Sequence, residues 1–142
     1  MDIELDQINV VVRDMEAMAA FYGRLGLSFG GGMAEWAPHH RSSGAQGGLD
    51  VDLDSTAFAS VWNRGWPGGT GIVLGFRVRE REDVDRRYEE LTAAGHTGQQ
   101  PPYDAFWGSR FAVVADPDGN SVALISPPDP SRRTPPPAPP PG

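Results

Sequence analysis

The side chains able to do chemistry are few in this chain. It has 142 residues without a cysteine or a lysine, and all twelve basic residues are arginine. That composition removes thiol nucleophiles, cysteine-based metal sites, disulfide frameworks, Schiff bases and lysine general bases. The three histidines are His39, His40 and His96. Neighbours on a strand point to opposite faces, so His39 and His40 cannot easily share an ion. His96 follows the predicted end of a helix, where the helix dipole favours a cation. Asp50, Asp52 and Asp54 alternate with Leu49, Val51 and Leu53. The carboxylates therefore share one face of a half-buried strand, and the simplest reading is a solvated face, because buried carboxylates need partners. With a histidine, they are also the raw material for an unconventional metal site. No Ser-His-Asp set or Gly-rich phosphate loop occurs in the required context.

Aromatic side chains are the second resource. Trp36 falls on a predicted central strand, Trp62 and Trp66 in a Gly/Pro-rich connector, and Tyr103, Phe106 and Trp107 in the loop PPYDAFWGS, with Phe111 just beyond. Flat rings on loops can sandwich a planar ligand, each pair contributing about 0.5–1.5 kcal/mol beyond area burial. Tryptophans are also commonly core residues, a reading that weighs most on Trp36 and Trp107. Trp62 and Trp66 are the better ligand or dimer candidates, since no periodicity requires their burial.

The formal net charge of −7 argues against a nucleic-acid partner and is compatible with a neutral or cationic ligand. No charged n-region or apolar h-region opens the chain, and no run approaches ~18 apolar residues. The expectation is a cytoplasmic protein without a membrane partner.

The elements that must position these residues follow from periodicity. Glu4 to Val12 reads as a strand, with Asp14 as N-cap of a helix from Met15 to about Leu25 and Gly26 as its stop. Three short strands follow: Ser28 to Gly31, Ala34 to Pro38, and Leu49 to Asp54, with a polar, Gly/Ser-rich loop over 39–48. Residues 56–70 read as a connector with at most one helical turn. Ile72 to Val78 is a strand. A helix follows with Val84, Tyr88 and Leu91 on its buried face, Asp83 near its start and Gly95 at its end. Thr97 to Gln100 is a short strand, and FAVVADPDGNSVALIS closes the chain's ordered part as a hairpin about Asp116-Pro117-Asp118-Gly119-Asn120. The order is β-α-β-β-β, a connector, and β-α-β-β-β again, an internal duplication. The modules span about 4–55 and 71–126 of a single domain, 1–126. Residues 127–142 contain nine prolines and read as a polyproline-II or disordered tail that only an outside contact, such as a neighbouring chain, would order.

The paired repeat, with Asp14, Phe21-Tyr22, Leu25-Gly26-Leu27, Trp107-Gly108 and the DPDGN turn, resembles the vicinal oxygen chelate superfamily, the glyoxalase, bleomycin-resistance and ring-cleaving dioxygenase group. The resemblance covers residues 4 to 126. It implies an α+β fold: paired βαβββ modules forming a curled eight-stranded mixed sheet with outer helices, enclosing a cavity, usually within a dimer. It also implies a divalent metal on two histidines and a glutamate. The matching positions here, counted from Asp14, Glu80 and Asp116, are Gln7, Val73 and Ala123. Aliphatic side chains supply no donors and one glutamine amide cannot hold an ion, so neither metal nor cofactor is expected.

With apolar metal positions the cup becomes a pocket. Alternation places Gln7, Asn9, Val73, Arg77 and Ala123 on its concave face, mostly apolar with a few orienting groups. Among the family's metal-free members the resemblance is to antibiotic-binding resistance proteins, implying a homodimer that sequesters a planar or aromatic natural product unchanged. Two alternatives stay open: a metal-dependent enzyme using Asp50, Asp52 or a histidine, and a metal-free isomerase or cyclase.

Overall fold

The protein is described by a computed structural model over residues 2–30, 32–44 and 48–141. The first apolar, β-branched run forms β1 (Ile3–Val12), and everything else is laid against it. On one side β1 pairs in parallel with β3 (Asp50–Ser55), and on the other antiparallel with β4 (Gly71–Val78). β4 pairs in parallel with β7 (Ser121–Ile125), which runs antiparallel to β6 (Arg110–Ala115), itself antiparallel to β5 (Gly98–Asp104). The short β2 (His40–Ser42) edges β3. The result is a seven-stranded mixed sheet in the order β2-β3-β1-β4-β7-β6-β5.

Two helices cover its outer face. Asp14 caps α1 (Met15–Arg24), its carboxylate accepting from Ala17 N at 3.0 Å. Asp83 accepts from Glu80 N at 3.1 Å to start α3 (Arg81–Ala93). Gly26 and Gly95 follow at φ of +99° and +101°, the left-handed conformation that ends a helix at little cost in glycine. Met15 packs with Val10, Val12 and Leu53 under α1, and Val84 with Val78, Ala112 and Leu124 under α3. At the hairpin, Asp116 Oδ1 accepts from the backbone of Asp118 (3.0 Å) and Asn120 (2.8 Å).

Several expectations are corrected. The sheet has seven strands among the described residues, not eight. The missing one is the counterpart of β5, expected over 28–31: residues 28–30 are not in a strand, and Gly31 lies outside the described residues. The run Ser28-Phe29-Gly30 leads into further glycines, which offer no side chains for a strand to pack and lose most entropy on ordering. Ala34 to Pro38 is likewise no strand; its core is a 3₁₀ turn, Ala34–Trp36. The connector contains a genuine helix, α2 (Thr56–Trp62), whose Phe58, Ala59 and Trp62 are buried against the concave face. β5 also runs past Gln100 to Asp104, taking in half of the expected aromatic loop. Of the expected 39–48 loop, 40–42 form β2 and 45–47 lie outside the described residues.

The tail is held by its own chain. Asp129 N donates to Gly108 O and Thr134 N to Phe106 O, both at 3.1 Å, with a 3₁₀ turn at Pro130–Arg132 between them. Gly108 has φ of +97°, and a Cβ there would sit 2.5 Å from Asp129 O, so only glycine fits. No helix among the described residues is long and apolar enough to cross a membrane.

The start of α2 yields a test. Ser55 Oγ accepts from Phe58 N at 3.0 Å and also bonds His39 Nδ1 at 2.8 Å. Ser55→Ala is expected to destabilise the protein by about 1–2 kcal/mol, lowering the urea midpoint with no change in slope.

Candidate functional site

The concave face encloses a cavity of about 440 Å³, within the size range of small-molecule sites. Its apolar wall comes from three sources. α2 contributes Phe58 and Trp62; the 3₁₀ turn contributes Trp36; the loop between β5 and β6 contributes Phe106 and Trp107, with Phe111 beyond. These rings meet largely edge to face: Trp36 lies 5.0 Å from Phe58, Phe106 5.1 Å from Trp107, and Trp107 5.4 Å from Phe111. Pro136 of the tail also reaches the wall.

The opposite wall is polar. β1 turns Gln7 and Asn9 inward, β2 turns His40 and Ser42, and β3 turns Asp50, Asp52 and Asp54. The parallel β1–β3 pairing sets Asn9 beside Asp52, and β2–β3 sets His40 opposite Asp54. Asp54 is 1% exposed, with His40 Nδ1 at 2.6 Å on one oxygen and Asn9 Nδ2 donating at 2.7 Å to the other. Gln7 Nε2 donates to Asn9 Oδ1 at 2.8 Å, fixing that amide. Asp50 accepts from Ser42 Oγ and Gly44 N, each at 2.9 Å. Asp52 is 7% exposed and its Oδ1 has no hydrogen-bond partner.

These groups shift one another's protons. Burial alone would lower the His40 pKa, but the hydrogen bond and charge of Asp54, with Asp52 and Asp50 behind it, raise it to about 9. Burial raises Asp52 to about 8; positive His40 opposes this, and Asp54 and Asp50 add to it. His40 is thus held toward its charged form beside Asp54, and burial holds Asp52 toward its protonated form.

The solvated-face reading of Asp50, Asp52 and Asp54 is thus overturned for Asp52 and Asp54. The alternation was read correctly: Val51 and Leu53 do pack under α1. The other face, however, meets the cavity rather than water. Of the ligand candidates, Gln7, Asn9, Trp36, Trp62, Phe106, Trp107 and Phe111 line this cavity. Val73 and Ala123 lie in the adjoining core, 0% and 1% exposed. Tyr103 is one layer back, its hydroxyl donating to Trp62 O at 3.2 Å. Trp66 donates to Gly69 O at 3.2 Å and packs on Trp62 outside the lining. Arg77 is elsewhere, paired with Glu4 and Asp6. Trp62 is both core and lining: it is 4% exposed and its Nε1 has no partner.

A divalent ion does not fit the centre of the sheet. Val73 and Ala123 present only carbon, and Gln7 is engaged with Asn9. The space between them is filled, because a Cβ on Gly75 would meet Gln7 Cγ at 2.6 Å and Ile125 Cδ1 at 3.1 Å. Among the described residues no three His, Asp or Glu side chains are placed to hold a metal ion.

Comparison with known proteins agrees with this architecture. Residues 4–124 match the model of the Glyoxalase/Bleomycin resistance protein/Dioxygenase superfamily. An uncharacterised protein of Mycobacterium bovis is 37% identical over 60 residues, 42% of this chain but only 38% of its own length. Among solved structures, the Mn(II)-bound glyoxalase of Novosphingobium aromaticivorans superposes with a TM-score of 0.60 at 23% identity, over 87% of this chain and 38% of that one. Methylmalonyl-CoA epimerase of Mycobacterium tuberculosis gives 0.56 at 19% identity over 89% of both chains. At such identities the structural likeness speaks to fold.

The raised pKa values set a pH dependence of stability. Between its unfolded value and about 8, folded Asp52 keeps a proton that the unfolded chain has lost, so stability falls as pH rises through that window. His40, raised from 6.5 to about 9, adds stability that is complete below the lower value and lost as pH climbs to the upper. Both slopes have the same sign above the unfolded His value. The unfolding free energy from urea titrations is expected to fall from pH 5 to pH 9, by at most about 1.4 kcal/mol per pH unit per proton. Asp52→Asn is expected to flatten the lower part of that profile and to exceed the wild type in stability at pH 8.

Proposed function

The chain belongs to the Glyoxalase/Bleomycin resistance protein/Dioxygenase superfamily, and we propose that it is a metal-free member that captures a planar, aromatic natural product and holds it unchanged, conferring resistance by sequestration. The observation that carries this reading is the cavity: about 440 Å³, walled by Trp36, Phe58, Trp62, Phe106, Trp107 and Phe111, beside a sheet centre that is packed with carbon. Ring stacking supplies affinity without a reaction. Gln7, Asn9, Trp36, Trp62, Phe106, Trp107 and Phe111 would touch the ligand, and Val73, Tyr103 and Ala123 would back them. The proposal includes a homodimer in the cytoplasm. Phe21, Leu25 and Ile72, 57%, 71% and 57% exposed, offer apolar surface to a second copy.

A second reading, a metal-free isomerase, is favoured by one feature. The His40–Asp54 pair and protonated Asp52 are a possible acid and base facing the same cavity.

The two are separated by recovering the ligand. Titration with planar aromatic antibiotics is expected to quench tryptophan emission, with Trp107→Ala weakening binding about tenfold or more. The ligand recovered after incubation in D2O is expected to be unaltered in mass and structure. Deuterium in the recovered molecule, or a rearranged product, would transfer the site to the isomerase reading.

A further inference from the structure

Asp52 has no role in the fold that its environment explains. It is 7% exposed, lines the cavity, and leaves Oδ1 without a partner. Buried polar atoms are nearly always satisfied, so an unpaired oxygen on a carboxylate that lines a cavity is a local deficit that a cationic ligand beside the same carboxylate would relieve. No arginine is among the described residues that line this cavity. His40 is bound to Asp54; Arg77 pairs with Glu4 and Asp6, Arg41 with Glu16, and Arg110 with Asp85 and Asp104. Among the described lining residues the polar wall carries Asp50, Asp52 and Asp54, with His40 as the cationic group, which disfavours an anionic guest. Facing it are ring systems whose negative π faces attract a cation, most strongly when it is desolvated.

Resting on the binding reading above, we propose that the ligand is an organic cation, seated with its charged nitrogen against Asp52 and its flat body among Trp36, Phe106 and Trp107. An amine, an amidine or a quaternary nitrogen would meet this chemistry. In the free protein Asp52 is protonated up to about pH 8, so the incoming charge displaces that proton and affinity rises with pH. The groups facing Asp52 are His40 and the uncharged Ser42 from β2, Asp50 and Asp54 on its own strand, and Gln7 and Asn9 from β1, also uncharged. α2, Thr56–Trp62, carries no charge. Loss of the His40 proton near pH 9 makes the wall more negative still, in the same direction.

The test uses the full chain and two probes of nearly equal shape, N-methylquinolinium, permanently charged, and quinoline, neutral above pH 6. Binding is read by tryptophan quenching at low salt, at pH 6.5 and pH 8.5. At the higher pH, N-methylquinolinium is expected to bind at least about tenfold tighter than quinoline, and its own affinity to fall about fivefold or more at the lower pH. Asp52→Asn, which the stability argument expects to fold well, is expected to abolish both preferences while retaining quinoline. Equal or tighter binding of quinoline at both pH values, or a charge preference that survives Asp52→Asn, overturns the cation assignment and leaves the binding reading intact. If neither probe binds at millimolar concentration, the binding reading fails as well.

Discussion

Asp54 is the fixed point of the polar wall. A carboxylate buried this completely is tolerated only if both oxygens are satisfied, and its two partners come from different strands. Asn9 reaches it from β1 and His40 from the edge strand β2. One side chain thereby ties together three strands and sets the register of the shortest of them. Through the period of two along β3, it also dictates that Asp52 turns the same way. Removing either partner would leave the charge exposed to a dry interior. Asn9, held in turn by Gln7, and His40 take their places in the cavity wall from that requirement.

The sheet's curvature makes the same residues legible in one respect and illegible in another. Periodicity located β1, β3, β4, both outer helices and the closing hairpin, because each buries a stripe or a face against one neighbour. The alternation at 49–54 identified which side chains share a face, but it carries no information about what lies beyond that face. Water was the natural assumption, whereas the cup supplies a second enclosed surface. Asp52 and Asp54 were therefore recognised as a set and misplaced as to environment. The buried pattern Phe58, Ala59 and Trp62 was helical at i, i+1 and i+4, yet too short to stand out between a strand and a Gly/Pro-rich segment. Arg77 shows the converse: it lies on the strand expected to line the cup, but acidic Glu4 and Asp6 across from it offer closer partners. The glycine run after Phe29 interrupts the sheet for a reason composition alone could have indicated.

Gly75 and Ile125 explain why the centre of the sheet reads so differently from a metal site. The absence of a side chain at Gly75 is used to admit Gln7 and Ile125, so what could have been an opening for an ion is packed with carbon. The polar character of the cavity has moved away from this centre toward the β2–β3 edge.

Pro136 adds to the cavity's lining from a segment fastened through backbone hydrogen bonds at Gly108 and Phe106. Because those bonds involve main-chain atoms only, the residues beyond them are under little sequence constraint. Exchanging the residues around Pro136 would reshape the chamber while leaving the sheet untouched, so guest preference is open to change without any cost to the scaffold.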